Sequence, residues 1–271
     1  MRPSDSSHEA ALQRAFAALD LGDGEALREE LSSWAAAGLE EPLAAVLWVH
    51  VELLRGELKA AAERLELAST VVDKDEVELH AVSGEVALST WQPRAAIDHF
   101  RRALELENRA DLWLRQALAH DLNDSPERAA DCLDRARALD PEQLGGVRHH
   151  SPDRFEQAVA DAAERLPDTF RAWFERLTVV IDPVPQRELA RGREAQTPPD
   201  LLGLFIGASA LEDSTEEQPQ APAVIFLFQR NLERLCRDED ELAQQVAITL
   251  YHELGHALGF DEAGVDRMGL A

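Results

Sequence analysis

Residues 238–262 read DEDELAQQVAITLYHELGHALGFDE. Leu242, Val246 and Leu250 recur at helical spacing, Asp238 with Glu241 three residues on forms a capping-box pattern, and Gly259 follows as a C-cap. Inside this expected helix stands His252-Glu253-Leu254-Gly255-His256. Side chains at i and i+4 share one helix face, so the two imidazoles are placed to bind one metal ion without backbone rearrangement. Glu253 projects beside them, where a carboxylate can take a proton from the water that such a metal activates. This is the set of groups that amide hydrolysis requires. A catalytic zinc usually takes a third protein ligand. The chain turns at Gly259, and the spacing HExxHxxGxxE makes Glu262 the first choice, with the adjacent Asp261 as the alternative and Asp266 as an outside candidate. Met268, near the same turn, reads as packing.

Working back from this helix, short apolar runs alternate with polar stretches. LTVVIDP (177–183) is β-branched and ends at Pro183, which predicts a strand. LLGLFIGA (201–208) predicts a second strand and AVIFLF (223–228) a buried third, followed by a helix from Gln229 to Cys236. Residues 184–200 and 212–222 read as loops. Residues 153–177 carry a helical pattern that Pro167 divides in two. LLGLFIGA is the candidate sheet edge for an extended substrate. Its Gly203 and Gly207 either admit another backbone or relieve crowding against the core.

The first half has a different texture. It is rich in Ala, Leu, Glu and Arg, with Gly and Pro confined to punctuation points such as Gly22, Gly56, Pro93 and Pro126. AAIDHFRRALELEN (95–108) is similar to the second helix of a tetratricopeptide repeat, with Ala96, Phe100 and Ala103 at its small, aromatic and small positions and Gly84 at the small position of the preceding helix. Ala129, Leu133 and Ala136 follow in register; Ala61, Leu65 and Ala68 precede; a fainter unit lies around Ala26 to Trp34. Stacked helical hairpins are therefore expected over residues 1–146, a second domain over 147–271, and the Gly145-Gly146 break between them. His149 and His150 read as solvated linker residues.

Composition narrows the partners. The chain has 271 residues, 27 Lys+Arg and 52 Asp+Glu, for a formal net charge of −25. Without a basic cluster it is not expected to bind nucleic acid, and an anionic membrane surface would repel it. At 45% hydrophobic residues it can bury a sizeable core. Cys132 and Cys236 form neither a disulfide framework nor a metal-binding pair and read as core residues in a reducing compartment. With neither an apolar signal region nor a stretch long enough to span a bilayer, a soluble cytoplasmic protein is expected.

Residues 153–262 resemble the short zincin-like metallopeptidases. The resemblance runs through FEQAVADAAERLPDTFRAWFERLTVVIDPVP, LLGLFIGA and PAVIFLFQRNLERLCRDEDELAQQVAITLYHELGHALGFDE. It implies a small α+β zincin fold with a few-stranded sheet packed on the active-site helix. It also implies zinc held by His252, His256 and an acidic residue after Gly259, where members often carry Asp at the position of Glu262. The expected fold class is thus mainly α with a small α+β domain: an N-terminal α-solenoid followed by a minimal zincin-like domain. The expected function is a zinc-dependent metallopeptidase that hydrolyses peptide bonds with Glu253 as general base. Its repeats would recruit a protein partner or substrate. The alternative is a non-catalytic interaction protein whose zincin-like domain binds metal.

Overall fold

Good helix formers without interruption make the first half helical, and proline sets where several helices begin. The computed structural model describes residues 5–36, 42–145, 151–190, 197–207, 223–261 and 264–265. In chain order come α1 (Asp5–Asp20), α2 (Gly24–Ala36), α3 (Pro42–Leu54), α4 (Leu58–Val71), α5 (Val77–Ser89), α6 (Pro93–Leu106), α7 (Ala110–Leu122), α8 (Pro126–Leu139) and the single turn α9 (Pro141–Leu144). Pro42, Pro93, Pro126 and Pro141 each open a helix, where the missing N–H forfeits no intrahelical bond. The chain falls into two compact units, Met1–Leu133 with Ala190–Thr197 and Asp134–Leu189 with Pro198–Ala271, so that the division falls within α8.

In the first unit the helices pair as hairpins, and equivalent positions recur. Ala15, Val49, Gly84 and Ala117 are all buried on the first helices, at spacings of 34, 35 and 33 residues. Leu27, Ala61, Ala96 and Ala129 are buried on the second helices at the same three spacings. The mainly α fold and its repeated helix pairs are therefore as the sequence leads one to expect. Three apolar clusters each join one hairpin to the helix that follows. One takes in Leu27, Leu31, Trp34, Leu47 and Val51; another Val49, Ala61, Ala68, Val82 and Val86; a third Ala96, Phe100, Ala103, Leu112 and Leu118. Such stacking buries faces that no single hairpin can cover alone. The contact of α5 with α6 depends on a missing side chain. A Cβ at Gly84 would lie 2.5 Å from the Phe100 ring.

The second unit is α+β. Its elements are α10 (Pro152–Glu164), α11 (Asp168–Phe174), β1 (Thr178–Asp182), the short α12 (Arg187–Ala190), β2 (Gly203–Ile206), β3 (Val224–Phe228), α13 (Gln229–Leu235) and α14 (Glu239–Leu258). The one turn of α12 interrupts the stretch expected to be loop. The sheet order is β1-β3-β2, with β1 parallel and β2 antiparallel to β3. Phe155, Val159 and Ala162 of α10, Ile225 and Leu227 of β3, and Leu242, Val246, Leu250 and Leu254 of α14 share one core. Tyr251 secures α14 to α10 by donating from its hydroxyl to the Ala162 carbonyl at 2.8 Å. No described helix is long and apolar enough to cross a membrane.

The Gly84–Phe100 contact predicts the response to mutation. Gly84→Ala recovers about 1 kcal/mol of helix propensity yet is expected to lower stability on balance, because overpacking costs about 1–3 kcal/mol. Phe100→Ala is expected to cost about 3–5 kcal/mol. Urea unfolding followed by circular dichroism measures both.

Candidate metal centre on the last helix

The helix that carries the HExxH residues is fixed at both ends. Asp238 is its N-cap, its side chain accepting from the Glu241 N–H at 2.8 Å. Glu241 does not close the expected box on Asp238; its carboxylate accepts instead from the Arg237 N–H at 2.6 Å and from the Arg237 guanidinium. That ion pair holds the Glu241 carboxyl below the usual carboxylate range. At the other end Gly259 is left-handed, with φ +94°. Its N–H donates to the His256 carbonyl, and the Phe260 N–H donates to the Gly255 carbonyl. Together these form a Schellman motif.

The two histidines converge. Their Nε2 atoms stand 3.1 Å apart and their rings meet edge to face at 4.7 Å between centroids. Two nitrogens held about 2.0–2.1 Å from one tetrahedral ion stand about 3.3 Å from each other, so the separation suits a shared cation. The second ring nitrogen of His256, Nδ1, lies 3.1 Å from the Phe260 carbonyl oxygen. A carbonyl oxygen only accepts, so Nδ1 carries the proton and Nε2 turns its lone pair towards His252. The C-cap thus sets the tautomer as well as ending the helix.

Glu253 is 7% exposed, and its Oε2 accepts from the Phe205 N–H at 2.7 Å. The geometry of β2 explains this bond. The Phe228 N–H donates to the Leu202 carbonyl, so residues 202, 204 and 206 face β3 and Gly203 and Phe205 direct their backbone groups outward. Glu253 therefore meets the outer edge of β2. It reaches that edge because Gly203 has no side chain. A Cβ there would lie 2.6 Å from Thr249 Cγ2 and 2.9 Å from Glu253 Cγ. A Cβ at Gly207 would in turn lie 2.8 Å from the Ala223 backbone. Of the two roles open to these glycines, the structure assigns relief of crowding by the chain's own atoms.

Beyond Gly259 the chain turns back. The Asp261 carbonyl accepts from the N–H groups of Gly264 and Val265. Val265 is fully buried, and a Cβ at Gly255 would lie 2.7 Å from its Cγ2. Asp261 is exposed, and its Oδ1 accepts from the Gly264 N–H at 2.8 Å. Glu262, Asp266, Met268, His149 and His150 lie outside the described residues. Among the described residues no group of three or more His, Cys, Asp or Glu is disposed to hold a metal.

Sequence reasoning missed a support of the site. Asn231 on α13 is buried and donates from Nδ2 to the carbonyls of Pro199, at 3.1 Å, and Leu201, at 2.7 Å. Arg234 donates to Asn231 Oδ1 at 2.6 Å. Asn231 so fixes the backbone entering β2. A single Asn in a helical pattern gives no sign of this in the sequence. Cys236 is buried, and its thiol is pushed up to about 12, by burial first and then by the carboxylates of Glu241, Asp238 and Glu233. A thiol so held stays protonated and plays no nucleophilic part.

Residues 174–270 match the zincin-like metallopeptidase family, a span that takes in all three strands and α14. No curated protein matches the chain.

The approach of α14 to β2 gives a double-mutant test. Gly203→Ala is expected to lower stability by about 1–3 kcal/mol through overpacking. Thr249→Ser removes the methyl in its way, so the double variant should recover part of that loss. Thermal unfolding of the two single variants and the pair measures the coupling.

Proposed function

We propose that the second domain is a zinc-dependent peptidase. The observation that carries this reading is the 3.1 Å convergence of His252 and His256 Nε2 atoms, one residue to either side of the buried stretch that begins with Glu253. The match of residues 174–270 to zincin-like metallopeptidases supports it. His252 and His256 would hold the ion, with Glu262, or Asp261 in its place, as the third ligand. Bound there, zinc lowers the pKa of a coordinated water towards about 7 and polarises the scissile carbonyl.

The chain's own groups do the rest. Phe260 fixes the His256 ring through its carbonyl. The Phe205 N–H engages Oε2 of Glu253 and so orients the carboxylate. Glu253 takes a proton from the attacking water and returns it to the amine nitrogen as the C–N bond breaks. The substrate is a peptide or protein, and the tetratricopeptide-like repeats of the first domain recruit it or a protein partner. The two cysteines, both buried and neither in a disulfide, suit a cytoplasmic setting.

A second reading is favoured by one contact. The bond from the Phe205 N–H to Glu253 would serve equally in a metal-binding interaction domain without turnover. Metal analysis and a peptide-library assay separate the two. Purified protein is expected to carry about one zinc per chain and His252→Ala to lose it. Glu253→Gln is expected to keep the metal and to lower kcat by about 10²–10⁴-fold, the span of general base catalysis. Zinc retained by His252→Ala would remove the site. Cleavage unchanged in Glu253→Gln would remove the base.

A further inference from the structure

A second site lies in the repeat unit, apart from the HExxH helix. A cavity of about 490 Å³ is bordered by α4, α5 and α6. Its walls carry Lys74 from the loop before α5, His80 on α5, and His99 and Arg102 on α6, with Leu79 and Leu106 as apolar surface. The rings of His80 and His99 stand 6.2 Å apart between centroids. His99 Nδ1 is buried and has no hydrogen-bond partner.

The charge balance of the cavity runs against that of the chain. Two carboxylates, Asp75 and Glu105, also line it. Glu105 is paired with Arg101 on its own helix at 2.7 Å, an arginine that Asp98 also approaches at 3.6 Å. Among the described residues neither Lys74 nor Arg102 is held in an ion pair. In a protein of net charge −25 the opening thus carries two full cations, Lys74 and Arg102, and two imidazoles, with Asp75 as the carboxylate beside them. Burial lowers the pKa of His99, and His80 and Arg102 add to that shift while Asp98 opposes it.

We propose that this cleft binds a phosphomonoester group. A carboxylate offers two oxygens. Lys74, Arg102 and the two imidazoles supply more donors than that, and a phosphate presents three terminal oxygens to meet them. A cavity of about 490 Å³ exceeds the group itself, so the ligand carries a body that rests on Leu79 and Leu106. The phosphate ester belongs either to a small molecule or to a phosphorylated residue of a protein partner.

Calorimetric titration of the full chain in phosphate-free buffer tests this. The probes are phenyl phosphate, a phosphoserine peptide and the same peptide unphosphorylated. Saturable binding at one site per chain is expected for at least one phosphorylated probe. Tighter binding of the phosphopeptide assigns a modified protein as the source, and comparable affinities assign a small phosphate ester. Arg102→Gln and Lys74→Gln, both at exposed positions, are each expected to weaken binding about tenfold, the worth of one charge-assisted hydrogen bond. Their unfolding midpoints should not move. Glu253→Gln should bind as the parent does, which separates this cleft from the proposed peptidase site. The proposal is overturned if neither phosphorylated probe saturates, if the unphosphorylated peptide binds equally well, or if both cation variants keep full affinity.

Discussion

Helix α14 lies nearer to β2 than any side chain at position 203 would allow. The space a Cβ would fill is taken by Thr249 and Glu253, and this closeness sets much of the second unit. It brings the Glu253 carboxylate within 2.7 Å of an outward-facing strand amide. It fixes the rotation of α14 about its own axis, because Leu242, Val246, Leu250 and Leu254 must enter the core while Thr249 and Glu253 face the strand. With that rotation set, His252 and His256 have one face left to occupy. Asn231 matters for the same reason, since it holds the backbone that delivers Gly203 to the helix.

The end of α14 does a second job. A left-handed Gly259 lets the Phe260 N–H reach back to the Gly255 carbonyl while the Phe260 carbonyl meets His256 Nδ1. One cap therefore stops the helix, chooses the imidazole tautomer and reverses the chain. The reversal is sealed where Val265 packs against Gly255, the residue between Leu254 and His256. The end of the helix and the setting of the His256 ring thus depend on the same few bonds.

The sequence was most legible where a pattern had a single physical cause. The three strands, the break at Pro167, the Asp238 cap and the Gly259 terminus follow from β-branching, a missing N–H, a side-chain acceptor and a left-handed residue, each local. The first repeat was fainter because Leu27, Leu31 and Trp34 fill the places that Ala61, Leu65 and Ala68 hold in the next. Large side chains there hide a register based on small ones. Other features depend on residues distant in sequence. Nothing near Glu241 announces that it will take Arg237 rather than Asp238, and the Phe205 amide that meets Glu253 lies 48 positions away. Gly203 was visible as a close approach, but which backbone or side chain approaches it is a fact of the assembled sheet and helix.

The nature of the residue at position 253 bears on what the site is for. A contact whose whole task is to tie α14 to β2 needs an acceptor for the Phe205 N–H. A glutamine offers one through its side-chain carbonyl without taking a charge out of water. A carboxylate at 7% exposure bears a desolvation cost, which the Phe205 N–H offsets in part. Burial and the Phe205 donor also lessen the freedom of the carboxylate, and such restraint is what a group needs if it is to meet a reacting atom in a fixed geometry. A buried acid beside two converging imidazoles is the arrangement that the proposed proton transfer calls for. The buried acid and the converging imidazoles together are what the proposed peptidase reading rests on.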